Sequence, residues 1–71
     1  MPCITFGMLM KRQRERLNMK QMVLARLIFA SQSTISRIES GRQNPSIDQL
    51  YLICKYLKIS LDKFFATYKK S

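Results

Sequence analysis

A chain of 71 residues has room for one small domain, residues 1–71, and we expect no separate ligand-sensing or catalytic domain. Thirteen Lys and Arg residues against four acidic residues give a formal net charge of +9, which favours a polyanionic partner, either a nucleic acid or an anionic membrane surface. Charges such as Arg26, Lys55 and Lys58 interrupt the apolar stretches, so none approaches the roughly 20 apolar residues of a membrane-spanning helix.

The spacing of the apolar residues predicts an all-α fold, because they recur at intervals of three and four and never alternate over a sustained stretch. We expect five helices at about residues 6–17, 20–28, 32–39, 47–57 and 61–68. The first helix should end at Asn18, since asparagine tolerates the left-handed backbone conformation. The inward face of this helix is expected to hold Phe6, Leu9, Met10, Gln13 and Leu17.

Serine residues mark the predicted starts of the later helices. Ser31 is expected to cap the third helix, and Ser46 to form a capping box with Gln49 at the fourth. Ser60 is expected to cap the fifth. The core is then expected to take Met22 in part and, more fully, Leu24, Ala25, Ile28, Ile35, Ile38, Ile47, Leu50, Ile53, Cys54, Leu57, Leu61 and Phe64.

Residues 21–39 contain two short amphipathic runs that are broken at residues 29–31. This is the spacing of a helix-turn-helix motif, formed here by the second and third helices, and such a motif indicates that the protein binds DNA. The Gln32 amide suits paired hydrogen bonds to adenine or a less selective contact to another base. Ser33 suits a base or a phosphate, and the Arg37 guanidinium suits either guanine or a phosphate. The outer face of the third helix therefore supplies the candidate base-reading residues: Gln32, Ser33, Ser36 and Arg37.

Further polar residues flank this face and are expected to bind DNA phosphates. Gln21 opens the second helix, where backbone N–H groups favour an anion. The loop after the third helix supplies most of the others, although a solvated polar turn would explain about half of them equally well. The candidate phosphate-binding residues are Lys20, Gln21, Ser40, Arg42, Gln43 and Asn44.

Over almost its whole length the chain resembles the Cro/CI class of helix-turn-helix regulators, the Xre family. The resemblance rests on Arg14 and Leu17, on the run at 19–25 and, most specifically, on residues 31–41 with the sequence SQSTISRIESG. Residues 45–47 and 57–62 complete it. It implies a compact five-helix fold like that of the lambda repressor DNA-binding domain.

The resemblance also has consequences for three individual residues. A carboxylate at Glu39, at the end of the recognition helix, would repel phosphate unless it is neutralised, and the resemblance implies that Arg14 neutralises it as a structural ion pair. The family usually has glycine at the position of Phe29, because the turn there favours a left-handed residue. Phe29 must therefore adopt that strained conformation, or the turn must be remodelled.

Some apolar side chains remain after the core is assigned, and an exposed apolar stripe usually marks a partner surface. Two copies paired through the fourth and fifth helices would place two recognition helices about one DNA turn apart. In the alternative interpretation, Tyr56 and Tyr68 only cap the core. The candidate dimer-interface residues are Leu52, Tyr56, Phe65 and Tyr68.

Together these patterns favour a homodimeric regulator of transcription that binds a palindromic operator in double-stranded DNA. Repression is the first expectation, and activation, as in the controller proteins of restriction-modification systems, is an alternative. A second alternative is an antitoxin or anti-regulator whose main role is to bind a protein partner. A third is a non-specific DNA-coating protein, which the net charge alone would permit.

The composition argues against chemistry at a metal or catalytic site. The chain has no histidine and only two cysteines, Cys3 and Cys54, so a zinc site of four ligands is not expected. The four carboxylates are dispersed, and we expect neither an enzyme nor a cofactor. In residues 1–13 the charges follow the apolar residues, the reverse of a secretory signal, which favours a cytoplasmic protein.

Overall fold

The computed structural model describes residues 5–60 and 62, and this part of the chain contains four α-helices and no strand. The prediction of an all-α fold is confirmed for these residues. The fifth predicted helix falls outside them apart from Asp62, so the five-helix count stays a prediction. The helices are α1 (Phe6–Arg16), α2 (Gln21–Leu27), α3 (Gln32–Glu39) and α4 (Ile47–Leu57).

Hydroxyl side chains begin three of these helices. Thr5, Ser31 and Ser46 each accept a hydrogen bond, at 3.1 Å, from the backbone N–H three residues further along the chain. At Ser46 the Gln49 side chain also accepts from the Ser46 N–H at 3.0 Å, which completes a capping box. The predicted caps of α3 and α4 are therefore confirmed.

All four described helices end with the same backbone arrangement. Each is followed by a residue with positive φ, namely Asn18 at 55°, Phe29 at 58°, Gly41 at 81° and Lys58 at 58°. The next N–H then donates to the carbonyl five residues earlier, at 2.8 to 3.0 Å, which satisfies an otherwise unpaired helix carbonyl. The prediction for Asn18 is confirmed, and Phe29 adopts the strained conformation instead of remodelling the turn.

The strain at Phe29 gives a direct stability prediction. Its side chain is 90% exposed, so its removal loses little buried area. A non-glycine residue in this conformation costs about 1–2 kcal/mol, and glycine recovers part of that cost after its larger unfolded-state entropy is counted. We expect Phe29→Gly to raise the free energy of unfolding by about 0.5–1 kcal/mol in urea denaturation.

Phe29→Ala is the matched control for that measurement, because alanine removes the ring but keeps the β-carbon and therefore the strain. Its unfolding free energy should stay close to that of the wild type. Equal gains from the alanine and glycine variants would show that the ring, and not the backbone conformation, is the source of the cost.

The core lies where α1 and α2 pack against α3 and where α4 closes over α1 and α2. This arrangement buries one face of α3 and leaves its opposite face open to solvent. At Gly7 the backbone of α1 lies very close to the backbone of α3. A β-carbon at this position would collide with the Ile38 carbonyl oxygen and would lie 3.0 Å from the Glu39 carbonyl oxygen. The buried apolar residues are Met10, Leu24, Ala25, Ile28, Ile35, Ile38, Ile53 and Leu57.

Two residues predicted to face the core are exposed. Leu17 is 39% exposed because the chain has already left the path of α1 at this residue, which is its C-cap. Ile47 is 84% exposed, since at about 100° per residue it lies about 120° around α4 from the fully buried Ile53. The Leu17 prediction was wrong because regular helical spacing does not continue past a helix end, whereas the position of Ile47 around α4 could have indicated its exposure.

Candidate nucleic-acid interface

The outer face of α3 carries all four residues predicted to read bases. They are exposed and lie within about 140° of the helix circumference, while Ile35 and Ile38 are buried on the opposite side. The first two stand in the first turn of α3, and the others follow one turn later. The exposed face consists of Gln32, Ser33, Ser36 and Arg37.

A buried ion pair joins α1 to the C-terminal end of α3. Arg14 Nε donates to Glu39 Oε2 at 2.7 Å, and Arg14 Nη2 donates to Glu39 Oε1 at 3.2 Å. The remaining Nη group, Nη1, donates to the Met19 carbonyl at 2.6 Å. Both residues are under 10% exposed, so the two charges are held away from water. The carboxylate of α3 is thus neutralised from behind the exposed face.

Gln21 links this ion pair to the start of α3, a connection that the sequence reasoning missed. Its Nε2 group donates to Glu39 Oε1 at 2.9 Å, while Gln32 Nε2 donates to Gln21 Oε1 at 3.5 Å. A carboxylate can only accept hydrogen bonds, so Glu39 determines that the Gln21 amide nitrogen points inward. The carbonyl oxygen of Gln21 then faces Gln32. The spacing of polar residues on separate helices carries no signal for such a contact.

The loop after α3 folds back onto Arg37. The Arg37 carbonyl accepts hydrogen bonds from the Ser40 hydroxyl at 3.1 Å and from the Arg42 N–H at 2.9 Å. The Arg37 side chain is also held, since its Nε donates to Gln43 Oε1 at 2.9 Å. Gln43 was predicted as a phosphate ligand, and its side-chain oxygen is engaged within the protein.

The other predicted phosphate-binding residues are accessible and border the exposed face of α3. Lys20 and Gln21 lie where α2 begins, and the remainder lie in the loop between α3 and α4. Glu39 is paired to Arg14, and three exposed residues of α3, the start of α2 and the loop after α3 are positively charged: Lys20, Arg37 and Arg42. Ser40 and Asn44 add exposed hydrogen-bonding groups. Such a surface is complementary to a phosphate backbone.

The residues predicted to form a dimer interface have different positions. Leu52 is partly buried and packs against the core, whereas Tyr56 is 37% exposed. Phe65 and Tyr68 lie outside the described residues. The sequence reasoning missed the strong exposure of Tyr51, although its place on α4, about 160° from Ile53, could have indicated it.

The described residues offer little support for other kinds of site. No group of three or more potential metal ligands occurs among them. Burial raises the pKa of the Cys54 thiol, which disfavours the reactive thiolate. Within residues 5–60, no helix is both long enough and apolar enough to span a membrane.

Comparison with known proteins shows which family the chain belongs to. A family model described as helix-turn-helix matches residues 10–64, which is most of the chain and includes both helices of the motif. No match was found among the curated proteins. Members of the matched family are DNA-binding regulators and are typically not enzymes. The chain belongs to the Cro/CI-type helix-turn-helix family of DNA-binding transcription regulators, the Xre family.

Proposed function

We propose that the protein is a sequence-specific repressor that binds a palindromic operator as a homodimer. In this proposal α3 lies in the major groove and reads bases through Gln32, Ser33, Ser36 and Arg37. Phosphates on either side are held by Lys20, Gln21, Ser40, Arg42 and Asn44, while Gln43 acts within the protein. No cofactor takes part, and transcription is blocked because the promoter is occupied.

The observation that carries the proposal is the chemistry of the exposed face of α3. Glu39, the only carboxylate of α3, is turned inward and neutralised by Arg14, so the helix does not repel a phosphate group. What remains at the surface is an amide, two hydroxyls and a guanidinium, which are the groups that hydrogen-bond base edges. A protein that only coats DNA needs positive charge and has no need of this set.

The Gln21 contact supports a specific role for Gln32. Adenine is read by an amide whose oxygen accepts from N6 and whose nitrogen donates to N7. Gln32 donates one of its two amide hydrogens to Gln21 and keeps the second hydrogen and the carbonyl oxygen available. Gln21 likewise keeps one N–H for a phosphate after its bond to Glu39. Both residues can therefore bind DNA without breaking these contacts.

The homodimer rests on the apolar surface of α4. Ile47 and Tyr51 lie about 40° apart around α4 and are 84% and 64% exposed, while Tyr56, on another side of the helix, is 37% exposed. The same exposure favours a second candidate function, in which the protein is an antitoxin or anti-regulator that binds another protein and binds DNA secondarily. Phe29, which is 90% exposed in the turn between α2 and α3, also favours this candidate.

Selection of bound duplexes from a random DNA pool at near-physiological salt tests the proposal. We expect the enriched sequences to contain an inverted repeat whose half-sites lie about one helical turn apart, because a two-fold dimer presents two recognition helices at that spacing. A single half-site would retain specific recognition but contradict the dimer. No motif, with binding that disappears as salt rises, would contradict specific regulation altogether.

Repeating the selection with the Gln32→Ala variant tests whether α3 reads bases through Gln32. We expect the preference for one base in each half-site to disappear while the rest of the motif survives, because a good paired amide contact is worth about 1–3 kcal/mol of discrimination. Arg12→Ala, a change at an exposed residue of α1 away from α3, should leave the motif unaltered. An unchanged motif for Gln32→Ala would remove Gln32 from the base-reading set.

A further inference from the structure

Gln43 contacts Arg37 through both its backbone and its side chain. Its N–H donates to the Arg37 carbonyl at 3.3 Å, and its side-chain oxygen accepts from Arg37 Nε at 2.9 Å. Gln43 is also partly buried, whereas Arg42 and Asn44 on either side of it are exposed. The side chain of Gln43 therefore supports Arg37 and does not simply project into solvent.

The contact limits how Arg37 can approach a ligand. A guanidinium carries five N–H donors, one on Nε and two on each Nη atom, and can bind an acceptor pair through either of two edges. Gln43 occupies Nε and with it the edge that Nε shares with one Nη. The edge between the two Nη atoms remains as a complete fork. Such a fork matches O6 and N7 of guanine, or two oxygens of one phosphate.

The contact also reduces the conformational freedom of Arg37 before binding. A free arginine side chain samples many rotamers, and that freedom is lost when the side chain is immobilised in an interface. Arg37 is exposed yet tethered at Nε, so part of the ordering has already occurred in the free protein. Preorganisation of this kind strengthens binding without any new contact to the ligand.

We propose that Gln43 is a positioning residue for DNA recognition, which presents Arg37 as an end-on fork and acts on binding only through Arg37. The inference rests on the proposed function. It assigns to Gln43 a role different from the phosphate contact that its position in the loop predicted.

A double-mutant cycle on the DNA site obtained by selection tests the inference. Binding is measured by fluorescence anisotropy for the full chain and for Arg37→Ala, Gln43→Met and the double variant, after circular dichroism has established that each is folded. Methionine keeps the length of the side chain but cannot accept the Nε hydrogen bond. We expect Gln43→Met to weaken binding about two- to tenfold and to have no further effect when Arg37 is alanine.

A readout on the free protein keeps the inference testable without DNA. In ¹⁵N NMR spectra the Nε–H of Arg37 should exchange with water more slowly than the Nε–H of the exposed Arg12. This difference should disappear in Gln43→Met. Equal exchange at the two arginines in the wild type would show that the tether does not persist in solution, and would overturn the inference.

The outcomes separate the inference from the function on which it rests. If selection yields no motif, the proposed function fails, and the positioning role fails with it. If a motif is found and Gln43→Met weakens binding equally with and without Arg37, Gln43 contacts DNA itself and only the inference is overturned. The same holds if Arg37→Ala leaves affinity for the selected site unchanged.

Discussion

Replacement of Arg14 or Glu39 alone is expected to lower the free energy of unfolding by about 3–5 kcal/mol. The ion pair is buried, with side-chain exposures of 9% and 3%, so removal of one partner leaves a charge without its counterion and away from water. A domain of this length has a total stability of about 4–10 kcal/mol. Either Arg14→Met or Glu39→Leu should therefore remove a large share of the total stability and lower the urea concentration at which the protein unfolds.

Urea denaturation followed by circular dichroism measures this effect. The double variant Arg14→Met with Glu39→Leu should recover a large part of the loss, because a buried ion pair replaced by apolar side chains of similar size is often neutral or stabilising. Arg12→Met, at an exposed position on the same helix, should change stability by no more than about 0.5 kcal/mol. A cost below about 1 kcal/mol for both single variants would indicate a solvent-screened pair.

Gly7→Ala is expected to destabilise the protein by about 1–3 kcal/mol, although alanine normally stabilises a helix relative to glycine. The reversal of sign comes from packing. The added β-carbon would meet the carbonyl oxygens of Ile38 and Glu39, which are backbone atoms and cannot rotate away as a side chain can. The N-terminal end of α1 must then move off the C-terminal end of α3.

Thermal unfolding measures the effect of Gly7→Ala. For a domain of this size a loss of 1 kcal/mol lowers the Tm by about 4–8 °C. Lys11→Ala on the exposed side of α1 is the control and should change Tm little. An increase in Tm for Gly7→Ala would show that α1 and α3 can separate slightly at low cost, and that intrinsic helix propensity outweighs the close approach.

The substitutions at Arg14, Glu39 and Gly7 all act on the contact between α1 and α3. Arg14 neutralises the carboxylate of α3, and Gly7 lies where a β-carbon would collide with the backbone of α3. Glu39 also accepts the hydrogen bond from Gln21. The buried Glu39 of α3 therefore orients the Gln21 side chain, whose oxygen accepts a hydrogen bond from Gln32 on the exposed face of α3.

Much of the described fold could be predicted from local sequence signals. Ser31 and Ser46 with Gln49 marked the starts of α3 and α4, because capping depends on residues within one turn of each other. Asn18 marked the end of α1 for a similar local reason. Lys58 was missed, since a lysine with positive φ has no sequence signature; its neighbours Leu57 and Ile59 lie in the core and against it.

The candidate site was predictable in part. Helical periodicity placed Gln32, Ser33, Ser36 and Arg37 on one face, because residues three and four apart share a side of a helix. It could not show that Gln43 would turn back to Arg37, or that Gln21 would reach Glu39. Those contacts depend on where a loop and a second helix lie in space.

By itself the sequence determined the helix starts, the helix-turn-helix and the polar face of α3, since each of these follows from spacing within one or two turns of chain. Only the tertiary structure decided that a β-carbon at Gly7 would collide with the backbone of α3, and that hydrogen bonds hold Gln21 and Arg37 in place. The physical reason is that these properties depend on distances between helices. Such distances are determined by how whole surfaces pack, and no short stretch of sequence encodes them.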